Sequence, residues 1–288
     1  MPDSAARLYI LAAAALFSTG GAAIKAASFN SWQVACLRSS IAAATLLLLI
    51  PAARRAWRLR MVCVALAYAV TLVAYVVASK LTTAANAIFL EATAPLYLVL
   101  AGPLLLKEPV RRVDWIVMAF MAAGLMLFFS GAPEAASATA TDPARGNLIG
   151  AVTGLTWAAT VAGLRWLSRD NADAGIATAA MGNIFAALAT VPFAWPLHAG
   201  AHAASDWVAV SYLGVFQVGL AYVLLSRGLR GVSALEASLL ILLEPAMTPL
   251  WAGLLHGEWP SLLPALGGAL IVGATAVQLL GGNGREKR

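Results

Sequence analysis

FLEATAPLYLVLAGP, residues 89–103, and ILLEPAMTPLWAGLL, residues 241–255, are two greasy runs built on one plan. Each holds a single glutamate, two prolines and a Pro-Leu-aromatic triplet, Pro95-Leu96-Tyr97 in one and Pro249-Leu250-Trp251 in the other. A carboxylate in an apolar run costs about 3 kcal/mol if the run crosses lipid. A proline removes a backbone donor and frees the carbonyl four residues before it. Such groups persist in a membrane only when buried in protein or turned toward a water-filled cavity. Two runs of this kind in one chain therefore predict two interrupted helices beside a polar path, with Pro95, Pro245 and Pro249 as the kink positions.

The rest of the chain fits a membrane. Of its 288 residues 61% are hydrophobic and 11% charged, with mean hydropathy +0.82. A soluble domain is nearer half apolar and a quarter charged. Ten windows are long and apolar enough to span: 7–27, 32–50, 60–79, 84–106, 113–131, 147–167, 174–195, 207–226, 234–256 and 261–281. The predicted fold is an all-α membrane protein of ten transmembrane helices. One long polar connection, residues 132–146, separates 1–131 from 147–288, and its Ala, Ser, Thr and Pro content reads as a flexible linker. The first window follows Arg7 and resembles a signal peptide. It is read instead as a span, because nine more hydrophobic segments follow and the internal repeat requires it.

Net charge is +6. With the N-terminus in the cytoplasm, ten spans place 15 of the 19 Lys and Arg on the cytoplasmic side. This is the positive-inside asymmetry, and it predicts that both termini are cytoplasmic. The basic excess then marks topology; no basic stretch interleaved with exposed aromatics suggests nucleic acid. Cys36 and Cys63 fall near opposite membrane faces and are not expected to pair.

The two halves repeat. Ala74-Tyr75-Val76 returns as Ala221-Tyr222-Val223, Phe17 and Lys25 match Trp157 and Arg165, and Pro95 to Glu108 has the spacing of Pro245 to Glu258. Different pairs give different offsets, so the register around Glu91 and Glu244 stays open. Five spans per half is an odd number, so the second half enters the membrane the other way up. Such inverted repeats suit alternating access.

On these residues the chain resembles the drug/metabolite transporter superfamily, and within it the EamA-type exporters. The matching features are Arg38 in LRSSIAAA, the proline-containing spans, the Lys107-Glu108 and Gly257-Glu258 ends that follow them, and the glycines at Ala123-Gly124 and Gly267-Gly268. The resemblance covers essentially the whole chain. It implies a bacterial inner-membrane location, a central cavity between the repeats, and export of amino acids, aromatic ones included, or of related amphiphiles.

Polar groups well inside the spans are Arg38, Asn86, Glu91, Asn183, Gln217 and Glu244. An amino acid carries a carboxylate and an ammonium, which one Arg and one or two Glu would match. A structural Arg38–Glu91 pair is the competing reading. Tyr75, Trp157 and Tyr222 recur in both halves and are expected as aromatic walls, able to hold a flat side chain or a cationic drug. Gly146, Gly150 and Gly154 form a small-residue stripe for close helix packing. Ser233 and Glu236 read as a capping box. His198, His202 and Asp206 have metal-like spacing but lie in a Gly- and Pro-containing connection, so no metal site is expected.

The chain has no G-x-S-x-G with a His partner, no paired intramembrane Asp and no P-loop. It is read as a transporter and not an enzyme, with no cofactor and no direct use of ATP. The expected partners are a small-molecule substrate and the bilayer. The alternatives carried forward are an exporter of cationic aromatic drugs and, from another class, a membrane-embedded binding protein without flux.

Overall fold

The computed structural model describes residues 3–54, 57–129, 140–171, 173–197 and 202–257, with short stretches between 262 and 274. Most of the tenth window and of the 132–146 connection, and His198, Glu258 and Trp259, lie outside the described residues. Among the described residues the regular elements are helices, and eight are long and apolar enough to cross a membrane. They are Ser4–Ala26, Ser31–Leu49, Leu59–Leu81, Ala84–Leu106, Pro143–Asp170, Ala174–Ala194, Ala204–Gly228 and Ala234–His256. The fifth window is α8 (Arg112–Phe129), whose apolar core Asp114–Gly124 is shorter.

Several spans are composite. The first is α1 (Asp3–Ser18) followed by α2 (Gly20–Ala26). The second is α3 (Ser31–Leu49), followed by the single turn α4 (Pro51–Arg54), and the third is α5 (Leu59–Leu81). The fourth comprises α6 (Ala84–Glu91), α7 (Ala94–Ala101) and a π-helical turn, Gly102–Leu106. In the second half, α9 (Pro143–Asp170) and α10 (Ala174–Ala194) are continuous. The next span is α11 (Ala204–Tyr212), a π-helical segment Leu213–Leu220, and α12 (Ala221–Gly228). The eighth apolar span is α13 (Ala234–Ile241) and α14 (Leu243–His256), parted at Leu242.

Packing crosses between the halves. α5 runs along α9 and α1 along α12, which are equivalent pairs under the repeat; α3 packs on its counterpart α10, and α6 packs on α14, the second piece of the span that corresponds to its own. The seam between α9 and α6 depends on the glycine stripe. A Cβ at Gly146 would lie 2.7 Å from Thr82 N, one at Gly150 2.9 Å from Leu90 Cδ1, and one at Gly154 2.7 Å from Leu90 O.

The two interrupted spans settle the register of the repeat there. Thr83 caps α6 by accepting from Asn86 N, and Ser233 caps α13 by accepting from Glu236 N. These caps are 150 residues apart, and both half-helices have 8 residues. Lys107 (φ 54) and Gly257 (φ 69), again 150 apart, are both left-handed C-caps. Pro95 and Pro245 share this offset. Glu91 and Glu244 do not: Glu91 ends the first half-helix, whereas Glu244 lies just past the second break. Loss of the Thr83 cap should cost about 1 kcal/mol. Thr83→Ala is therefore expected to lower the unfolding midpoint slightly, as read by thermal denaturation in detergent.

Pro95 and Pro245 do not lie at kinks inside a helix, the positions that the sequence predicts for them. Pro95 and Pro245 sit in the first turn of α7 and α14, where a missing N–H costs little. The breaks fall upstream, at Ala92–Thr93 and Leu242, because neither proline can donate to the carbonyl of Glu91 or Ile241. Thr93 Oγ1 closes the first break by donating to Leu90 O at 2.7 Å. Pro249 lies inside α14, and there Thr248 Oγ1 donates to Glu244 O at 2.9 Å.

Candidate functional site

The breaks carry both glutamates to one place. Glu91 and Glu244 are buried at 9% and 5% exposure and both line a central cavity of about 30 Å³. A second small space shares them, with Trp157 and both break prolines, Pro95 and Pro245. Elements of both halves also contribute to the main cavity: Phe17 from α1, Arg38 from α3, Thr71, Leu72 and Tyr75 from α5, Trp157 from α9, Gln217 and Val218 from the π-helical segment, and Tyr222 from α12.

The π-helical geometry widens one turn, and such turns recur at functional positions. Here it brings Gln217 against the α1–α2 break. Gly20 permits that approach, since a Cβ there would lie 2.6 Å from Gln217 Nε2.

Arg38 is 1% exposed and donates from Nη2 to Leu72 O at 2.7 Å. Its Nε has no protein partner, and neither do Tyr75 Oη, Glu91 Oε2 and Gln217 Oε1. Buried polar atoms are nearly always satisfied. Four unsatisfied ones, of both donor and acceptor type, converge on this one cavity.

The wall is aromatic. The Tyr222 ring lies 5.1 Å from Phe17, 6.1 Å from Trp157 and 4.4 Å from Tyr68, centre to centre. The edge-on arrangement of the first two is favourable for aromatic pairs. Phe17, Tyr68, Thr71 and Leu72 were not singled out by the sequence as wall residues. Phe17 was detectable as the repeat partner of Trp157; the other three carry no such signal.

Two candidates stand elsewhere. Asn183 is fully buried, but its Nδ2 donates to Tyr68 Oη at 3.0 Å and Ala179 O at 2.9 Å, behind the aromatic wall. Asn86 sits in the first turn of α6, where Nδ2 donates to Thr82 Oγ1 at 3.3 Å and Thr82 in turn donates to Asn147 at 2.8 Å. Asn86 lies more than a turn before Glu91 on α6, and α10, which carries Asn183, contributes no residue to the cavity lining. His202 and Asp206 converge on Ser28: Ser28 N and Oγ donate to Asp206 at 2.7 Å each, and Ser28 Oγ lies 2.8 Å from His202 Nδ1. Among the described residues no group of three metal-ligating side chains converges.

Comparison with known proteins places this geometry. The EamA-like transporter family matches residues 4–130 and 144–280, nearly the whole chain in two blocks. The chain belongs to the EamA-like transporter family. It is a membrane protein of a family that moves small molecules. No curated protein matches the sequence. Among solved structures, one titled only "Crystal structure of protein" superposes with a TM-score of 0.73 at 22% identity, over 97% of this chain and 98% of the other. That likeness concerns the fold. The EamA matches leave out residues 131–143, which separate the two blocks.

Proposed function

We propose that this EamA-like protein exports amino acids and related small amphiphiles across a bacterial inner membrane by alternating access. The observation that carries the reading is the convergence of unsatisfied Arg38 Nε and Glu91 Oε2 in a cavity shared by both halves. A guanidinium receives the substrate carboxylate, one or both glutamates receive the ammonium, and the Phe17–Trp157–Tyr222 wall takes the side chain. Residues 1–131 and 147–288 act as two inverted five-helix repeats that rock about the cavity, joined by 132–146. The Arg-rich face, with both termini, is cytoplasmic by the positive-inside rule.

The cavity has room for about two waters. Binding an amino acid therefore requires the halves to part on one side.

A second reading has its own support. Two carboxylates share the cavity with one guanidinium, and an aromatic wall lines it too, an arrangement suited to cationic aromatic drugs. Uptake of radiolabelled threonine, methionine or phenylalanine into liposomes holding the pure protein tests the first reading. Entry faster than into empty liposomes is the expected result, and competition by quaternary amines rather than by zwitterions would favour the second. Absence of flux for both classes would leave a binding protein. Glu91→Gln is expected to weaken binding and slow flux together; unchanged affinity and rate would remove Glu91 from the path.

A further inference from the structure

At one end of the molecule two buried glutamates tie the halves to each other. Glu108, from the first half, accepts from Arg165 Nε and Arg169 Nη2 at 2.7 Å each, and from the Ala234 backbone N–H at 2.9 Å. All three donors belong to the second half. Glu236, from the second half, pairs with Arg7 at 2.9 Å and Arg111 at 3.1 Å, both of the first. The left-handed turn at Lys107 aims Glu108 inward, with Glu108 N donating to Gly102 O at 3.1 Å. Glu108, Glu236 and Arg7 are 9%, 6% and 6% exposed. At the opposite end the halves meet through hydrogen bonds, Ser28 to Asp206 and Thr82 to Asn147, and Asp142 N of the connection donates to Leu81 O.

We propose that the Glu108 and Glu236 clusters form an ionic latch that closes the cavity on the basic face and positions Glu244 through α13. The latch and the cavity are mechanically joined. α13 is one rigid element of 8 residues, about 12 Å long. Glu108 holds its first N–H, Glu236 anchors its first turn, and its far end leads through Leu242 to Glu244. A buried ion pair adds little net stability, yet losing one partner strands the other charge at high cost. Such a latch has two states, made or fully broken and hydrated, as a gate requires. Glu108 and Glu236 are thus positioning residues, and opening toward the basic face requires both clusters to part.

The proposal rests on the alternating-access part of the functional reading and not on the substrate. The test therefore reads access to the cavity without any substrate. In full-length protein with Cys36→Ala and Cys63→Ala, Val218→Cys places a thiol in the cavity wall. An impermeant methanethiosulfonate is added from one side of oriented liposomes at a time. Glu108→Gln or Glu236→Gln should raise labelling from the face bearing Arg7 and Arg111 about tenfold or more, with no rise from the other face. Arg169→Gln, which leaves Arg165 on Glu108, should raise it from the same face by a smaller factor and serves if the glutamate variants do not fold. Asn147→Ala, at the opposite end, should not raise it from the basic face. Equal rises from both faces, or none with Arg169→Gln and the glutamate variants alike, would overturn the latch.

Discussion

Arg38→Gln is expected to weaken substrate binding about thirtyfold or more, with transport falling in parallel. Truncating one partner of a buried, hydrogen-bonded charge set costs about 2 kcal/mol or more, and each 1.4 kcal/mol is about tenfold in affinity. Arg38 is the cationic residue in the cavity wall, where Glu91 and Glu244 are both acidic. Removing it strands two carboxylates and also deletes the donor to Leu72 O. Arg38→Lys should not restore binding. An ammonium is a compact charge on a flexible stem, and it cannot hold Leu72 O while presenting a second donor in a fixed plane. Binding of labelled substrate in detergent, with size-exclusion behaviour as the check on folding, measures the effect. The double variant Arg38→Gln/Glu91→Gln should lose less than the two single losses combined, because adjacent charges couple. Additive losses would mean that the two side chains act in separate places.

Gly154→Ala is expected to produce the largest loss of stability among the small-residue substitutions on α9. The added methyl would press on Thr93 Oγ1 and lie 2.7 Å from Leu90 O, at the break that follows Glu91. That carbonyl is backbone and already accepts from Thr93 Oγ1, so the helices must separate. Overpacking of this kind costs about 1–3 kcal/mol. Gly150→Ala should cost less, since its methyl meets the tip of the Leu90 side chain, which can rotate. Thermal unfolding in detergent ranks the two, and a Gly154→Ala midpoint equal to the parent's would deny the close approach. Because the displaced segment carries Glu91, substrate binding should fall with stability in Gly154→Ala and stay near normal in Gly150→Ala.

The sequence by itself was enough for the membrane, for the eight apolar spans now seen as helices, and for the two interrupted helices. These follow from local quantities: apolar length, proline chemistry and charge counts along the chain. Of the residues it singled out, Arg38, Tyr75, Glu91, Trp157, Gln217, Tyr222 and Glu244 line the cavity, since a polar or repeated aromatic residue deep in a span must answer to something other than lipid. It did not distinguish these from Asn86 and Asn183, which are as polar and as deep. Nor did it single out Tyr68 or Thr71. A helix that is apolar on every side carries no periodic signal for which face meets lipid, a neighbour or a cavity.

Tertiary structure alone decided the rest. Glu91 and Glu244 are not equivalent in the repeat, yet they meet, because α6 and α14 cross at the centre. Glu108 reads in sequence as a residue at a span end and Glu236 as part of a cap. Only the interleaving of the halves brings five arginine-to-carboxylate contacts between them to one end. The physical reason is range. Partition into lipid and helix capping act within a few residues, so they are written in short words of sequence. Charge pairing across the two halves joins residues as far apart as Arg7 and Glu236, and its partners are set by which helices pack together.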